Sequence, residues 1–206
     1  GVVVTTGGMN AVGTYFSDVQ TTTSGGTALA VVAPTAFTAR ALHAIARVPS
    51  DPDAFLMVGG QDLSGQQYLN DALLTTDRGA SFVTQSTAVF TGIGRLSSGL
   101  IATGTSSFVA VGGYDGVTHY NEVRRSVDLG VTWTTLRVNG PTSGDGTGGD
   151  SCADKKMWSQ RRAFGYAYML LRKRIVLAAG SKSGPPEFDA WGSDDGGVCW
   201  QQLTVD

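Results

Sequence analysis

Tyr120-Asn121-Glu122-Val123-Arg124-Arg125-Ser126-Val127-Asp128-Leu129-Gly130-Val131-Thr132-Trp133 is the stretch from which the fold can be read. Its second half has the form S-x-D-x-G-x-x-W. An Asp side chain bonds backbone two residues on, a Gly supplies a positive φ, and a Ser caps the bend. Together they build a tight turn between two strands, and the Trp plugs it from the second. Ser193, Asp195, Gly197 and Trp200 repeat the pattern in full. Thr75, Asp77, Gly79 and Phe82 repeat it with Thr for Ser and Phe for Trp. Thr22 to Leu29 is a worn copy that has lost its Asp. The turn glycines Gly26, Gly79, Gly130 and Gly197 are thus 53, 51 and 67 residues apart, the kind of internal period that decides an architecture.

Three further landmarks run in phase. Small pairs close an apolar run at Gly7-Gly8, Gly59-Gly60, Gly112-Gly113 and Ala179-Gly180, and lie 18, 19, 17 and 17 residues ahead of the turn glycines. An acid stands eight residues before each turn glycine: Asp18, Asp71, Glu122 and Asp189. An Arg precedes the small pair in the last three units, at Arg40, Arg95 and Arg162. Each unit divides into four short β-branched or aromatic runs broken by Gly, Asn and Asp, as strands should be. In the third unit they run 95–102, 107–112, 121–127 and 132–138. Four strands in ~50 residues, repeated, predict the four-stranded antiparallel blade of a β-propeller.

The expected fold is therefore all-β, one β-propeller domain over 1–206. Its blade units are 1–33, 34–89, 90–138 and 158–206, with a loop insertion at 139–157. The first unit begins at its Gly-Gly strand and so lacks an inner strand. Three accounts of ring closure stand open: a larger propeller of which these residues are part, a four-bladed ring with one incomplete blade, and strand donation by another chain. The first is favoured. The Arg strand, the Gly-Gly strand and the acid-led strand resemble kelch repeats, and the S-x-D-x-G-x-x-W turns resemble the Asp-boxes (BNR repeats) of sialidases and sortilin-type propellers. The likeness spans nearly the whole chain. It implies blade architecture and leaves function open, because both repeat types serve enzymes and binding scaffolds.

Composition bounds the rest. A chain of 206 residues suits one domain with a sizeable core. Its 29 glycines fall at turns in phase. Charged residues make up 16% and the net charge is −2, against the basic stripe of nucleic-acid binders. No apolar run reaches the ~18 residues of a membrane span. Gly1-Val2-Val3-Val4 has no basic leader and reads as a processed or truncated end. Cys152 and Cys199 permit one disulfide or stand as free thiols; with the low charge they lean toward an extracellular or cell-surface protein. Blade geometry places the two cysteines on opposite faces, so a bond requires the insertion to wrap round the outer edge. Asp145 and Asp150 lack a calcium-loop pattern, and neither metal nor cofactor is expected.

Antiparallel strand order puts all Asp-box turns on one face and the loops after the Gly-Gly pairs on the other. Those loops, at 61–69, 114–120 and 181–187, carry Tyr68, Tyr114, His119 and Tyr120, the expected binding surface together with Arg40, Arg95 and Arg162 at the mouth. Three guanidiniums there would take a carboxylate; the competing expectation pairs each with a blade acid. Asp77, Gly79, Phe82, Ser126, Asp128, Gly130, Trp133, Ser193, Asp195, Gly197 and Trp200 are expected to be structural locks. No catalytic residues are assigned. The expected function is a non-catalytic extracellular binding or structural module for a glycan, a protein or neighbouring subunits, including copies of itself. The alternative is a sialidase-like glycoside hydrolase, which needs an arginine cluster and a Tyr–Glu pair; the Arg-Ile-Pro motif of that family is absent. A copper oxidase of the galactose-oxidase type lacks ligands, since His43 and His119 are the only histidines. A serine hydrolase lacks its G-x-S-x-G elbow.

Overall fold

The computed structural model describes residues 3–22, 29–33, 36–62, 67–140, 152, 157–182 and 184–204. The worn turn at 23–28, Asp145 and Asp150 lie outside them. The chain is all-β. Among the described residues the one helical turn is a short 3-10 segment, Leu170–Arg172. Four antiparallel sheets follow one another along the sequence. The first has three strands, β1 (Val3–Met9), β2 (Tyr15–Thr22) and β3 (Ala30–Ala33). A two-residue strand β4 (Arg40–Ala41) pairs with β7 (Gln61–Asp62) at the start of the second repeat. The second sheet is β5 (Ala44–Arg47), β6 (Phe55–Val58), β8 (Ala72–Thr75) and β9 (Val83–Ser86). The third is β10 (Gly99–Ala102), β11 (Phe108–Tyr114), β12 (His119–Ser126) and β13 (Thr134–Arg137). The fourth is β14 (Gly165–Met169), β15 (Arg174–Ala178), β16 (Ala190–Ser193) and β17 (Gln201–Thr204). In each, neighbours in sequence are neighbours in space, and no sheet closes on itself.

The sheets stack face to face, and the alternation of side chains shows how. Strand β11 reads Phe-Val-Ala-Val, apolar on both faces, as a strand buried on both sides must be. Phe108 and Ala110 join Leu56, Val58, Ala72 and Leu100 in one core, between the second and third sheets. Val109 and Val111 join Val123, Ile175, Leu177, Trp191 and Trp200 in another, between the third and fourth. The first strands of consecutive four-stranded sheets, β5, β10 and β14, lie against one another, and β4 lies against β1 and β2.

Backbone bonds join consecutive repeats near these first strands. Leu42, Ser97 and Ala163 each have a positive φ, of 57°, 50° and 54°. The Ser97 amide donates to the Leu42 carbonyl at 2.8 Å, and the Ala163 amide to the Ser97 carbonyl at 3.2 Å. One step along, the Gly60 amide donates to the Arg95 carbonyl at 2.9 Å and the Gly113 amide to the Arg161 carbonyl at 3.0 Å. These approaches require glycine: a Cβ on Gly59 would stand 2.5 Å from the Arg95 carbonyl oxygen.

Candidate functional site

The S-x-D-x-G-x-x-W turns and their Thr75–Phe82 variant repeat one hydrogen-bond pattern three times. Gly130 N–H donates to Ser126 Oγ at 2.9 Å, Ser126 Oγ to Asp128 Oδ1 at 2.8 Å, and Thr132 N–H to Asp128 Oδ1 at 2.9 Å. Gly197, Ser193, Asp195 and the Cys199 amide reproduce it at 2.9, 2.8 and 2.9 Å. Gly79, Thr75, Asp77 and the Ser81 amide do so at 2.9, 2.7 and 3.0 Å. The indoles of Trp133 and Trp200 each donate to the carbonyl of the turn glycine three residues back, at 3.0 Å. Phe82 instead packs edge-on against Phe37. Burial pushes the Asp128 carboxyl up, but the bonds from Thr132 and Ser126 win and hold it below its ordinary value. A glycine is needed at the bend for a second reason. A Cβ on Gly79, Gly130 or Gly197 would meet Val19, Leu56 or Val123 of the preceding sheet at 2.6, 2.9 and 3.0 Å. The turns therefore lock each sheet to the one before.

The arginines bind acids of their own repeat. Arg40 forms a two-pronged pair with Asp71 at 2.7 and 2.8 Å, and its Nη1 also donates to the Gly59 carbonyl at 3.0 Å. Arg95 Nη1 lies 2.5 Å from Glu122 Oε2, and its guanidinium is sandwiched between the rings of Phe90 and Tyr120. The third member is Arg161 and not Arg162, which corrects the sequence register. Arg161 pairs with Asp189 through Nη1 and Nη2, and its Nη1 also donates to the Ala179 carbonyl at 2.9 Å. Three markers agree on this assignment. The positive-φ residue stands two places after Arg40, Arg95 and Arg161. A backbone bridge stands one place after, pairing Ala41 with Gln61, Leu96 with Tyr114 and Arg162 with Ser181. All three arginines are 1% exposed. Arg95 Nε has no hydrogen-bond partner, but all three guanidiniums are sealed from solvent, so the carboxylate-binding expectation for Arg40 and Arg95 gives way to the pairing one. The sequence misleads because Arg161 and Arg162 are adjacent and the repeat spacing varies by a residue or two.

Arg162 points elsewhere. Its guanidinium lies 4.5 Å from the centre of the Tyr114 ring, and Tyr114 is itself stacked on His119 at 4.5 Å. Burial and then the Arg162 charge lower His119 below its ordinary pKa, against the opposing effect of Asp115. Tyr68, from the second repeat, packs against Gly116 of the third, where a Cβ would stand 2.3 Å from its hydroxyl. Tyr15, from the first repeat, donates its hydroxyl to Gln61 Oε1 of the second at 3.3 Å. Tyr15, Gln61, Tyr68, Tyr114, His119 and Arg162 are all half-buried. They form one rim that crosses all four repeats. Tyr120 belongs beneath it: its ring covers Arg95 and its hydroxyl donates to Asp115 Oδ2 at 2.6 Å.

Two small cavities occupy the same place in the second and fourth repeats. One, of about 190 Å³, is bounded by Phe37, Arg40, Asp71 and Phe82. The other, of about 290 Å³, is bounded by Ser159, Lys182, Glu187, Asp189 and Trp191. In the third repeat Arg124 occupies this place, donating to Thr91 Oγ1 at 2.8 Å and to the Trp133 carbonyl at 2.9 Å.

Cys152 and Cys199 are joined in a disulfide, with Cα atoms 5.6 Å apart. The free-thiol alternative is thus overturned. The chain returns past the fourth repeat's turn, and Met157 and Trp158 enter the core beside Trp200. Sequence reasoning missed Tyr15 and Gln61 at the rim, and the Thr6–His43 hydrogen bond of 2.8 Å that joins the first two repeats. Tyr15, Tyr68 and His119 each stand three residues before the acid of their repeat, and Gln61 and Tyr114 each follow the small pair, so the repeat register could have pointed to Tyr15 and Gln61; only the Thr6–His43 bond has no such signal. No group of three His, Cys, Asp or Glu residues converges among the described residues. No helix is long and apolar enough to cross a membrane among them. No protein-family model matches the chain, and no curated protein is significantly similar to it.

Proposed function

We propose that the four sheets are consecutive blades of a β-propeller, and that the chain is a non-catalytic, extracellular binding module. Face-to-face stacking and first strands that neighbour one another support the blade reading, since such sheets splay outward from a shared inner edge. The disulfide supports an oxidising location.

The rim of Tyr15, Gln61, Tyr68, Tyr114, His119 and Arg162 carries the binding reading. Its hydroxyls and ring faces suit a glycan or a protein loop, as amphipathic aromatics do at recognition surfaces. Arg162 adds a preference. The repeat places Ala41 and Leu96 at its position, so the fold does not call for a cation there. A guanidinium stacked on a tyrosine is well placed to grip a carboxylate or another acidic group of the ligand. The sialidase-like alternative loses its motive, because Arg40, Arg95 and Arg161 are committed to Asp71, Glu122 and Asp189.

The test is binding to an array of neutral and acidic glycans and to acidic peptides, followed by titration with Tyr68→Ala and Arg162→Ala. Both substitutions are expected to leave the denaturation midpoint close to the parent's and to weaken binding about tenfold or more. Binding that neither substitution disturbs would move the site off this rim. Release of free sialic acid from a sialylated substrate would sink the non-catalytic reading.

A further inference from the structure

Leu170-Leu171-Arg172-Lys173 forms the apex of the hairpin between β14 and β15. The bend is one 3-10 turn, closed by the Lys173 amide donating to the Leu170 carbonyl at 3.3 Å. Leu170 is 77% exposed and Leu171 is 103% exposed, as open as a leucine in an extended chain. Arg172 and Lys173 beside them are exposed too. Arg174 pairs with Asp194, but among the described residues no acid pairs with Arg172 or Lys173.

The fold does not call for this composition. The same tip is Pro49-Ser50-Asp51-Pro52-Asp53 in the second repeat and Gly104-Thr105-Ser106 in the third, with neither a leucine nor a cation. Lys173 has a φ of 50°, in the left-handed region where a glycine would carry no strain. Nor does the open apex come from the place of the fourth sheet in the stack. The tips of the second and third repeats, each with a sheet after it, still show Pro49, Ser50, Pro52 and Thr105 to solvent. A bond between those two tips joins them side by side, from Ser50 Oγ to the Thr105 carbonyl at 3.0 Å.

Two leucines on a convex point offer a partner no hollow. Protein partners are gripped mainly by aromatic or arginine anchors seated in pockets, whereas a lipid surface yields to a small apolar peg and attracts cations at its base. Long basic side chains suit the second task, because their stems lie along the apolar layer while the charges stay among the headgroups. We infer that this tip inserts into a lipid surface bearing anionic headgroups. Leu170 and Leu171 enter the apolar layer, and Arg172 and Lys173 pair with the phosphates above it. The rim lies at the other end of the same hairpin: Met169 pairs with Arg174 at the tip, and Arg162 with Ser181 beside the rim. A docked chain holds its rim away from the lipid, open to a ligand. The inference rests neither on the rim's ligand nor on the number of blades, so its failure would leave the ligand test above intact.

Co-sedimentation of the intact chain with vesicles tests it. Vesicles of phosphatidylcholine mixed with phosphatidylglycerol should take up the chain at low salt about tenfold more strongly than phosphatidylcholine alone. Leu170→Ser with Leu171→Ser should lower that uptake about tenfold. Arg172→Gln with Lys173→Gln should lower it as well and flatten its salt dependence. In Leu171→Trp the added indole should shift its emission to shorter wavelength on binding and be quenched by brominated acyl chains, beyond any change in the parent. All four positions are exposed, so near-UV circular dichroism of each variant should match the parent's. No uptake by the mixed vesicles overturns the inference. So does uptake that the leucine pair leaves unchanged, which would be adsorption by charge alone, or an added indole that stays in water.

Discussion

His43 stands three residues after Arg40, where the third and fourth repeats have Ser98 and Phe164. Its Nε2 shares a hydrogen bond with the Thr6 hydroxyl. Burial and then the Arg40 charge lower its pKa from 6.5 to about 4, with Asp71 opposing. The folded state therefore disfavours the proton that the unfolded chain accepts. Stability should be complete above pH 6.5 and fall as the pH drops toward 4, by on the order of 3 kcal/mol for this residue. His119 is shifted in the same direction. Urea midpoints should decline over that range in the parent and much less in His43→Gln. The turn carboxylates of Asp77 and Asp128, held below their ordinary value, act only at lower pH. An unchanged slope in the variant would place the proton uptake elsewhere. The adjacent pair Arg161 and Arg162 shows how one position separates a buried ion pair from a half-buried ring contact. Arg161→Ala, which takes both guanidinium bonds from Asp189 at 6% exposure, should cost about 3–5 kcal/mol. Arg162→Ala loses a half-exposed stack on Tyr114, worth about 1 kcal/mol or less. Equal losses in chemical denaturation would contradict the assignment of Arg161 as the structural member.

At the scale of elements, the turn and the strand before it act as one unit. The carbonyl of each repeat's Arg meets the Gly-Gly bend of the repeat before, while its guanidinium holds the acid that leads its own third strand. The disulfide extends this in the fourth repeat, tying Cys152 to the turn that also anchors Trp200. It closes a loop of sequence separation 47, for which the chain-entropy model gives about 4 kcal/mol. Reductant should lower the midpoint by that order, and should have no effect on the Cys152→Ser/Cys199→Ser variant. A parent indifferent to reductant would mean the bond adds nothing. The elements themselves were largely legible in the sequence. The expected runs 95–102, 107–112, 121–127 and 132–138 overlap the observed β10 to β13, because period-2 apolar runs and turn chemistry are local signals.

For the whole molecule, burial is greatest in the middle of the stack. The third sheet is covered on both faces; β11 is buried from Phe108 to Gly113. The first sheet's strands are half-exposed through most of their length, and β14 of the fourth is nearly all exposed. Amide hydrogen exchange should be slowest in β11 and β12 and fastest in β1 and β14, since local opening follows buried contact. Uniform protection across the four sheets would show that the ends are covered in solution.

Ser126, Asp128, Gly130 and Trp133 with their repeats determine by themselves that the chain is all-β, how many units it shows, and that the turn acids Asp77, Asp128 and Asp195 serve the fold. Such turns are closed within eight residues, so residue type and spacing suffice. Which of two neighbouring arginines is buried, that Cys152 reaches Cys199, and that Tyr15, Tyr68, Tyr114 and Arg162 share one rim were decided only in three dimensions. These depend on how one sheet sits on the next, through backbone bonds such as Ser97 to Leu42 and approaches such as Gly59 to Arg95. A backbone bond between repeats leaves no residue-type signature, and a shift of one residue sends a side chain to the opposite face of its strand.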